Sequence, residues 1–386
     1  MRIVYAALDQ RVPGTTGGSI HVAAVAEGLS ALGHDVDVLT GLGRGPFPPG
    51  RARYHALAPP LRNSHLRLLR SGAVREFARK ANADVVIERY HNFGGEGVRA
   101  AKAIGAVAVL EVNAPVIDYP GSMKARLDKL ALVEPMRRWR DAQCRMADLL
   151  VTPAADVLPA FVPRARVLEI EWGADTESFT PQAKGPVPFV KRPGTVVAVF
   201  AGAFRPWHGA VQLVRALRQL RSEGRRDIDA VLVGDGPELA KTKAEAAGID
   251  GVTFTGPIAH ERVPACLAAA DIGVAPFDLA AHPPLQLAFF WSPLKVFEYM
   301  AAGLPVVAPA IPRLARILGP SHEGVLYDPH APLGLADALG RLASSAGERQ
   351  RLGAACRARV CQEFSWAAHC RTLDEAMQPL VRRRST

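Results

Sequence analysis

The sequence predicts an α/β protein built on two parallel sheets, each with helices on both faces. Strand-like and helix-like segments alternate along the chain, and the series runs twice. Two further observations agree. At 386 residues the chain exceeds one ordinary core and suggests two domains of roughly 180 residues each. PQAKGPVPFVKRPG at 181–194, rich in Pro, Gly and Lys, has the composition of a linker. The expected division is 1–185 and 186–364, with a last helix over about 365–386.

The first series opens with MRIVYAAL as a strand, then a Gly-rich loop RVPGTTGGS, a helix through HVAAVAEGLSAL closed by Gly33, and a second strand DVDVLT. Further strands fit 84–88, 106–112, 148–152 and 166–170. The second series restarts with TVVAVFAG (195–202), a loop FRPWHG and a helix through VQLVRALRQL, followed by DAVLVGDGP, VTFTG, DIGVAP and LPVVAP. SPLKVFEYMAAG reads as a short helix over Pro293 to Ala302, with Ser292 as N-cap, Pro293 at its first position and Gly303 just past its end.

Composition narrows the class. Hydrophobic content of 49% with 22% charged residues is a globular balance, and no apolar run approaches the roughly 20 residues of a membrane helix. The apolar start of the chain is short and gives way to Asp9, Gln10 and Arg11, so no signal peptide is expected and the protein reads as cytoplasmic. Five cysteines without a CxxC pair or a close His partner argue for reduced, buried thiols and against a zinc site. The net charge of +10 is uneven: 51–80 holds eight Lys/Arg against one acid, Glu76. Within it HLRLLRSGAVREFARKA can place Leu66, Leu69, Val74 and Phe77 near one side of a basic helix. Such a helix is a solvated face, a peripheral contact with anionic lipid or a surface facing an acidic substrate. No nucleic-acid motif accompanies it.

In open parallel sheets ligands bind beyond the C-terminal strand ends, so the loops that follow strands carry the information. No GxGxxG and no GxxxxGK[ST] occurs there, which removes the main support for a dinucleotide enzyme or a P-loop nucleotidase. Gly17 and Gly18 stand where the first helix begins and either turn the chain or offer N–H groups to a phosphate or sugar oxygen. Arg205 and His208 share the Gly202 to Gly209 loop, a crowding of ligand-type residues that favours function. Gly234 and Gly256 with Ile258 end two more strands and allow approach by a flat base or by another backbone. His91 follows a strand in the first half and is either a surface or a cleft residue.

Lys295 conflicts with local helix rules. It sits in the first turn, where the macrodipole is positive, with Glu298 three residues later. An anion would resolve the conflict: a diphosphate beside Ser292, Pro293 and Leu294 would meet free backbone N–H groups, the helix dipole and the ammonium together, while Glu298 accepted ribose hydroxyls.

These residues resemble the retaining nucleotide-sugar glycosyltransferases of family 4, through GGSIHVAAVAEGLSALGHDVDVLT, GADTESFTP, FAGAFRPWHGA, LVGDGPEL, FTGPIAH and SPLKVFEYMAAGLPVVAP. The resemblance implies GT-B architecture, two Rossmann-like domains with parallel sheets facing across a cleft. The acceptor would bind the first domain and a nucleoside-diphosphate sugar the second, and the final helix near FSWAAH would return to pack on the first. It also implies that Glu298 binds ribose, that the Ser292 helix and the Gly202 loop bind diphosphate, and that Gly256 to Ile258 lie near the base. Four positions, in three places, depart from the family. Phe290 stands where many members have Glu, Ala203 and His208 where many have Arg and Lys, and Asn113 where His is frequent. Asp35 and Asp37 resemble paired metal-binding carboxylates of some sugar transferases, but they open a strand and read as a solvated edge.

The expected reaction is metal-free, cofactor-free transfer of a sugar to a hydroxyl acceptor with retention, Arg205, Lys295 and His208 stabilising the leaving diphosphate. A nucleotide-sugar 2-epimerase and a non-catalytic nucleotide-sugar-binding subunit are the alternatives.

Overall fold

The computed structural model describes the chain apart from residues 15, 43–45, 48, 58–69, 92–93, 118–133, 283–284, 286–288, 323–324 and 386. It forms two compact units. The first comprises Met1–Trp172, Phe290–Ser292 and the chain from Trp366 onward; the second comprises Gly173–Phe289 and Pro293–Ser365. Residues 173–185, which the sequence reading assigns to the first domain, group with the second, and the short piece Phe290–Ser292 groups with the first.

The first unit holds β1 (Arg2–Val12), β2 (Asp35–Leu42), β3 (Arg53–Ala56), β4 (Val85–Arg89), β5 (Val107–Glu111), β6 (Leu149–Thr152) and β7 (Val167–Glu169) in the order β3-β2-β1-β4-β5-β6-β7. All neighbouring pairs are parallel. Its helices are α1 (Gly17–Ala31), α2 (Ser71–Lys80), α3 (Glu96–Ile104) and α4 (Glu134–Met146), with the C-terminal helix Trp366–Ser385. Strand alternation turns Ile3, Tyr5, Val85, Ile87, Val107 and Val109 into one apolar cluster with Val22, Val25 and Leu29 of α1 and Leu373 and Met377 of the C-terminal helix. The two helices approach closely because Gly28 has no side chain: a Cβ there would lie 2.4 Å from Cys370 Sγ.

Asp35 opens β2 and is exposed as expected. The strand β3 is absent from the sequence reading, and it corrects the reading of Asp37. Its Arg53 donates to both aspartates, reaching Asp37 Oδ2 at 2.7 Å, and His55 lies 2.7 Å from Asp37 Oδ1. Asp37 is therefore buried under a neighbouring strand and fully paired, neither a solvated edge nor open to a metal.

The second unit holds β8 (Val196–Ala201), β9 (Ile228–Val233), β10 (Val252–Gly256), β11 (Ile272–Val274) and β12 (Val306–Val307), parallel in the order β10-β9-β8-β11-β12. Helices α5 (Ala210–Ser222), α6 (Leu239–Glu245), α7 (Val263–Ala268), α8 (Leu294–Ala301), α9 (Pro312–Leu318), α10 (Gly334–Ser344) and α11 (Ala346–Glu363) cover it. Phe200, Leu213, Leu217, Leu232, Val274, Val307 and Leu339 centre its core. Each unit thus has the doubly wound order in which the chain reverses beside its first strand, and the crevice of such a sheet opens there, at the C-terminal strand ends.

In the basic segment, Leu66 and Leu69 lie outside the described residues. The remainder forms α2, with Val74 buried and Arg79 paired with Glu76 at 2.8 Å. Among the described residues no helix is long and apolar enough to cross a membrane.

Candidate active site

The second unit holds Arg205, His208, Gly234, Gly256, Ile258, Lys295 and Glu298, whereas Phe290 and Ser292 belong to the first. Where β8 ends, Gly202 and Ala203 are exposed, and the loop continues through Arg205, also exposed, to the start of α5. Lys295, in the first turn of α8, extends beneath this loop: a Cβ built on Gly202 would be 3.2 Å from Lys295 Nζ. Lys295 is only 9% exposed. Its Nζ lies 4.2 Å from the Phe200 ring centre and 5.4 Å from that of Phe277, and it has no hydrogen-bond partner among the described residues. Burial lowers its pKa to about 7, an effect Glu298 partly opposes. Burial likewise raises the half-buried Glu298 to about 7, against the pull of Lys295. An exposed, solvated Lys–Glu pair is therefore excluded.

The glycines of the neighbouring loops serve backbone approach. Gly234 has φ +125°, and a Cβ on it would stand 2.0 Å from the Gly202 carbonyl oxygen, so the β8 and β9 loops touch through their main chains. Beside Gly256, in contrast, nothing lies within 4 Å of such a Cβ, and half-buried Ile258 follows. A cavity of about 440 Å³ in the same unit is lined by Arg215, Phe277, Asp278, Tyr327 and Leu335; Lys295 and Glu298 do not line it, so volume alone does not locate the site.

Three expectations in this region need correction. Ser292 does not cap α8: the helix starts at Leu294 behind Pro293, and no side chain caps it. The Ser292 hydroxyl donates to Glu171 Oε2 at 2.8 Å and accepts from the Trp172 N–H at 2.9 Å. Phe290 is 2% exposed and packs edge-to-face on Trp291, so its ring is closed to a ligand. His208 carries no charge. Burial and then Lys295 lower its pKa to about 3, and its Nδ1–H donates to the Ala203 carbonyl at 2.5 Å, which leaves Nε2 an acceptor.

In the first unit, Gly17 and Gly18 open α1, and Thr16 Oγ1 takes the Ser19 N–H. Asn113 bonds the Glu111 carboxylate and accepts from Trp172 Nε1 at 3.0 Å, so both ends of its amide are engaged. His91 lies just beyond β4, its Nε2 3.6 Å from Glu96 Oε2. Glu88, His91 and Glu96 bring potential metal-ligand atoms within 4.8 Å of one another. Glu88, however, already accepts the N–H groups of Gly95 and Val98, and Glu96 faces Arg70 at 3.1 Å. Burial, then the charge of Glu96, raises Glu88 to about 8.

The sequence reading missed a buried charge network at the ends of β1, β4 and β5. Glu111 is 2.9 Å from Arg89 Nη1 and 2.8 Å from His21 Nε2, and accepts from the Tyr5 hydroxyl; Arg89 Nε is 3.4 Å from Asp9. Burial alone would raise the Glu111 carboxyl, but His21, Arg89 and Tyr5 outweigh it and hold it well below the usual range. His21 is lowered, chiefly by burial, and stacks on Trp172 at 4.3 Å. The available signal was Glu111 itself, a charge inside the apolar run AVAVLEV.

Two parallel doubly wound units, the second with a strand-end glycine loop over a buried lysine, are an architecture that can hold an anionic ligand at the strand ends. Comparison with known proteins identifies the family over most of the chain. Residues 15–177 match the family model "Glycosyltransferase Family 4", and 195–345 match "Glycosyl transferases group 1". The D-inositol 3-phosphate glycosyltransferase of Xylanimonas cellulosilytica is 27% identical, over 97% of this chain and 95% of that protein. The MMP alpha-(1->4)-mannosyltransferase of Mycolicibacterium hassiacum is 32% identical, over 55% and 48%. Among solved structures, sucrose-phosphate synthase from Thermosynechococcus elongatus superposes with a TM-score of 0.72 at 20% identity, covering 99% of each chain. Anabaena HepE in complex with UDP gives 0.69 at 17% identity, covering 98% of this chain and 100% of that one. The chain belongs to the family 4 type of glycosyltransferases.

Proposed function

We propose that the protein moves a sugar from a nucleoside-diphosphate sugar to a hydroxyl acceptor, with retention of anomeric configuration and without a metal ion. The observation that carries this reading is Lys295, a buried basic side chain with no hydrogen-bond partner among the described residues, directly under an exposed strand-end loop. A diphosphate on that loop would meet Arg205, the N–H groups at the start of α8 and Lys295, while Glu298 accepted the ribose hydroxyls and the base lay in the open space beside Gly256 and Ile258.

Breaking the anomeric C–O bond leaves new negative charge on the diphosphate. Fixed donors aimed at that charge lower the barrier, one such donor by about 3 kcal/mol. His208, neutral with its Nδ1–H committed, contributes none of this charge. In this reading the leaving phosphate takes the acceptor proton on the same face, and no side chain acts as general base. The acceptor binds the first unit near the strand ends that carry Gly17, Gly18, Asp9, His91 and Asn113. The relatives' names, an inositol phosphate glycosyltransferase and a mannosyltransferase, support a polyol or glycan hydroxyl; the UDP complex of HepE supports the donor.

The test is product analysis with UDP-, GDP-, ADP- and TDP-sugars in EDTA, with and without polyol and glycan acceptors. Nucleoside diphosphate released only when an acceptor is present, with the donor's anomeric configuration kept in the product, is the expected result. Release without acceptor would indicate an epimerase-type reaction. Tight nucleotide binding with no turnover across the panel would contradict transfer.

A further inference from the structure

The environment of Lys295 differs from that of an ordinary phosphate-binding lysine. Its Nζ has three potential donors and no acceptor among the described residues, two aromatic rings at 4.2 and 5.4 Å and 9% exposure. Ring faces compensate a cation only in part, and a buried charge without hydrogen-bonded partners gives up its proton before it accepts that cost. The groups around it do not hold the charge either. Glu298, on the same helix, is neutral up to about pH 7 because of burial, and above that its charge only partly opposes the effect of burial on Lys295, to which it makes no hydrogen bond. From the loop after β8 come His208, which is neutral, and Arg205, which is cationic and exposed. After β11, Asp278 directs its carboxylate to the N–H groups of Ala280 and Ala281. The Tyr299 hydroxyl meets the Ala201 N–H at 2.8 Å. No described group accepts a hydrogen bond from the amine.

We infer that Lys295 is a ligand-gated cation: its amine is uncharged while the site is empty and takes up a proton when a diphosphate enters the Gly202 loop, so that donor binding is linked to proton uptake. The inference rests on the donor-site reading above and deepens it. The balance is simple. The amine nitrogen gains one proton from solvent or buffer, the incoming phosphate oxygens become its acceptors, and no other bond changes. The pKa near 7 sets the range: below it the lysine is already charged and binding takes up little, whereas above it each bound diphosphate brings one proton with it. Two consequences follow for the donor site. Affinity for the diphosphate falls as pH rises above neutrality, and the empty pocket does not hold a bare cation under an exposed loop.

The experiment is calorimetric titration of the full chain at about pH 8, in buffers of different ionisation enthalpy, with UDP, GDP, ADP and TDP in turn. At that pH the terminal phosphate, with its second pKa near 6, is already ionised, so protons taken up go to the protein. The expected result is uptake approaching one proton per bound nucleotide. Lys295→Arg, whose charge is permanent, is expected to bind with uptake near zero. The wild-type association constant should fall towards about tenfold per pH unit between pH 8 and 9, a readout that needs no variant. Wild-type binding without uptake, a flat pH profile, or uptake that persists in Lys295→Arg would each overturn the inference while leaving the donor site intact. Binding of none of the four nucleotides would instead overturn the donor-site reading beneath it.

Discussion

Glu111 Oε1, at the end of β5, stands 2.9 Å from Arg89 Nη1, at the end of β4, with both side chains buried. The same carboxylate accepts from the Tyr5 hydroxyl and lies 2.8 Å from His21 Nε2, so one residue balances a guanidinium and faces two further polar groups at the crevice of the first unit. Removing one member of a buried pair leaves the other charge uncompensated, which costs more than the pair contributes. Glu111→Gln is therefore expected to destabilise the protein by about 3 kcal/mol in urea unfolding at neutral pH. The sign of the pH dependence is fixed by the depressed carboxyl: its contribution is full above the ordinary carboxylate range and is lost only as pH falls towards the lower native value. The wild-type and variant curves should converge only in strong acid. Equal stability at neutral pH would show that Asp9 alone balances Arg89.

Lys295→Met is expected to stabilise the fold while impairing transfer. The folded lysine has its pKa lowered from 10.5 to about 7, so the unfolded chain binds a proton that the native protein releases between those values. The cost to stability is full below about pH 7 and vanishes above about 10.5. The variant should gain about 1–3 kcal/mol at neutral pH, a gain that fades in alkali, and lose about 100-fold in turnover. A variant less stable than wild type at pH 7 would show that the buried amine is compensated.

Glu298→Ala should leave the fold intact and weaken nucleoside diphosphate binding by about 10- to 100-fold. Its carboxyl is raised from 4.5 to about 7, so its contribution to stability is most favourable below 4.5 and declines as pH rises through about 7. The variant is accordingly expected to unfold no more easily than wild type at about pH 8. Differential scanning calorimetry and nucleotide titration read the two effects separately.

The two strand-end glycines should behave differently. Gly234→Ala would place a methyl group 2.0 Å from the Gly202 carbonyl at a left-handed φ, so the loop over Lys295 must move. A loss of about 3 kcal/mol is expected, with weaker nucleotide binding. Gly256→Ala meets nothing within 4 Å, and its φ of +70° should cost only about 1 kcal/mol. Equal losses at the two positions would remove the distinction drawn between backbone contact and open space.

The strand and helix series was legible because the buried parallel strands are nearly continuous apolar runs followed by a turn residue, as in TVVAVFAG, which contains the fully buried β8. The strand RYHA was not, since its pairing depends on Arg53 and His55 reaching Asp37, a contact that local pattern does not encode. At the candidate site, Lys295 was visible as a charge against the helix dipole, and its burial under Gly202 gives that conflict a structural form. Ser292 misled for the opposite reason. A hydroxyl before a helix suits a cap, but the chain brings it to Glu171 and Trp172, more than 100 positions earlier. The network of Tyr5, His21, Arg89 and Glu111 is assembled from four separate segments, so no spacing announces it; only the misplaced charge in AVAVLEV pointed there.

The most direct test of the central claim is the thermal stability of the wild-type protein and of Glu298→Ala with UDP, GDP, ADP, TDP and CMP in turn, in EDTA. A ligand at 100 times its dissociation constant adds about 2.7 kcal/mol to the unfolding free energy. The account requires a clear upward shift with at least one nucleoside diphosphate in the wild type and a much smaller one in the variant. No shift with any diphosphate, or an equal shift in both proteins, would contradict a donor site built on Lys295 and Glu298.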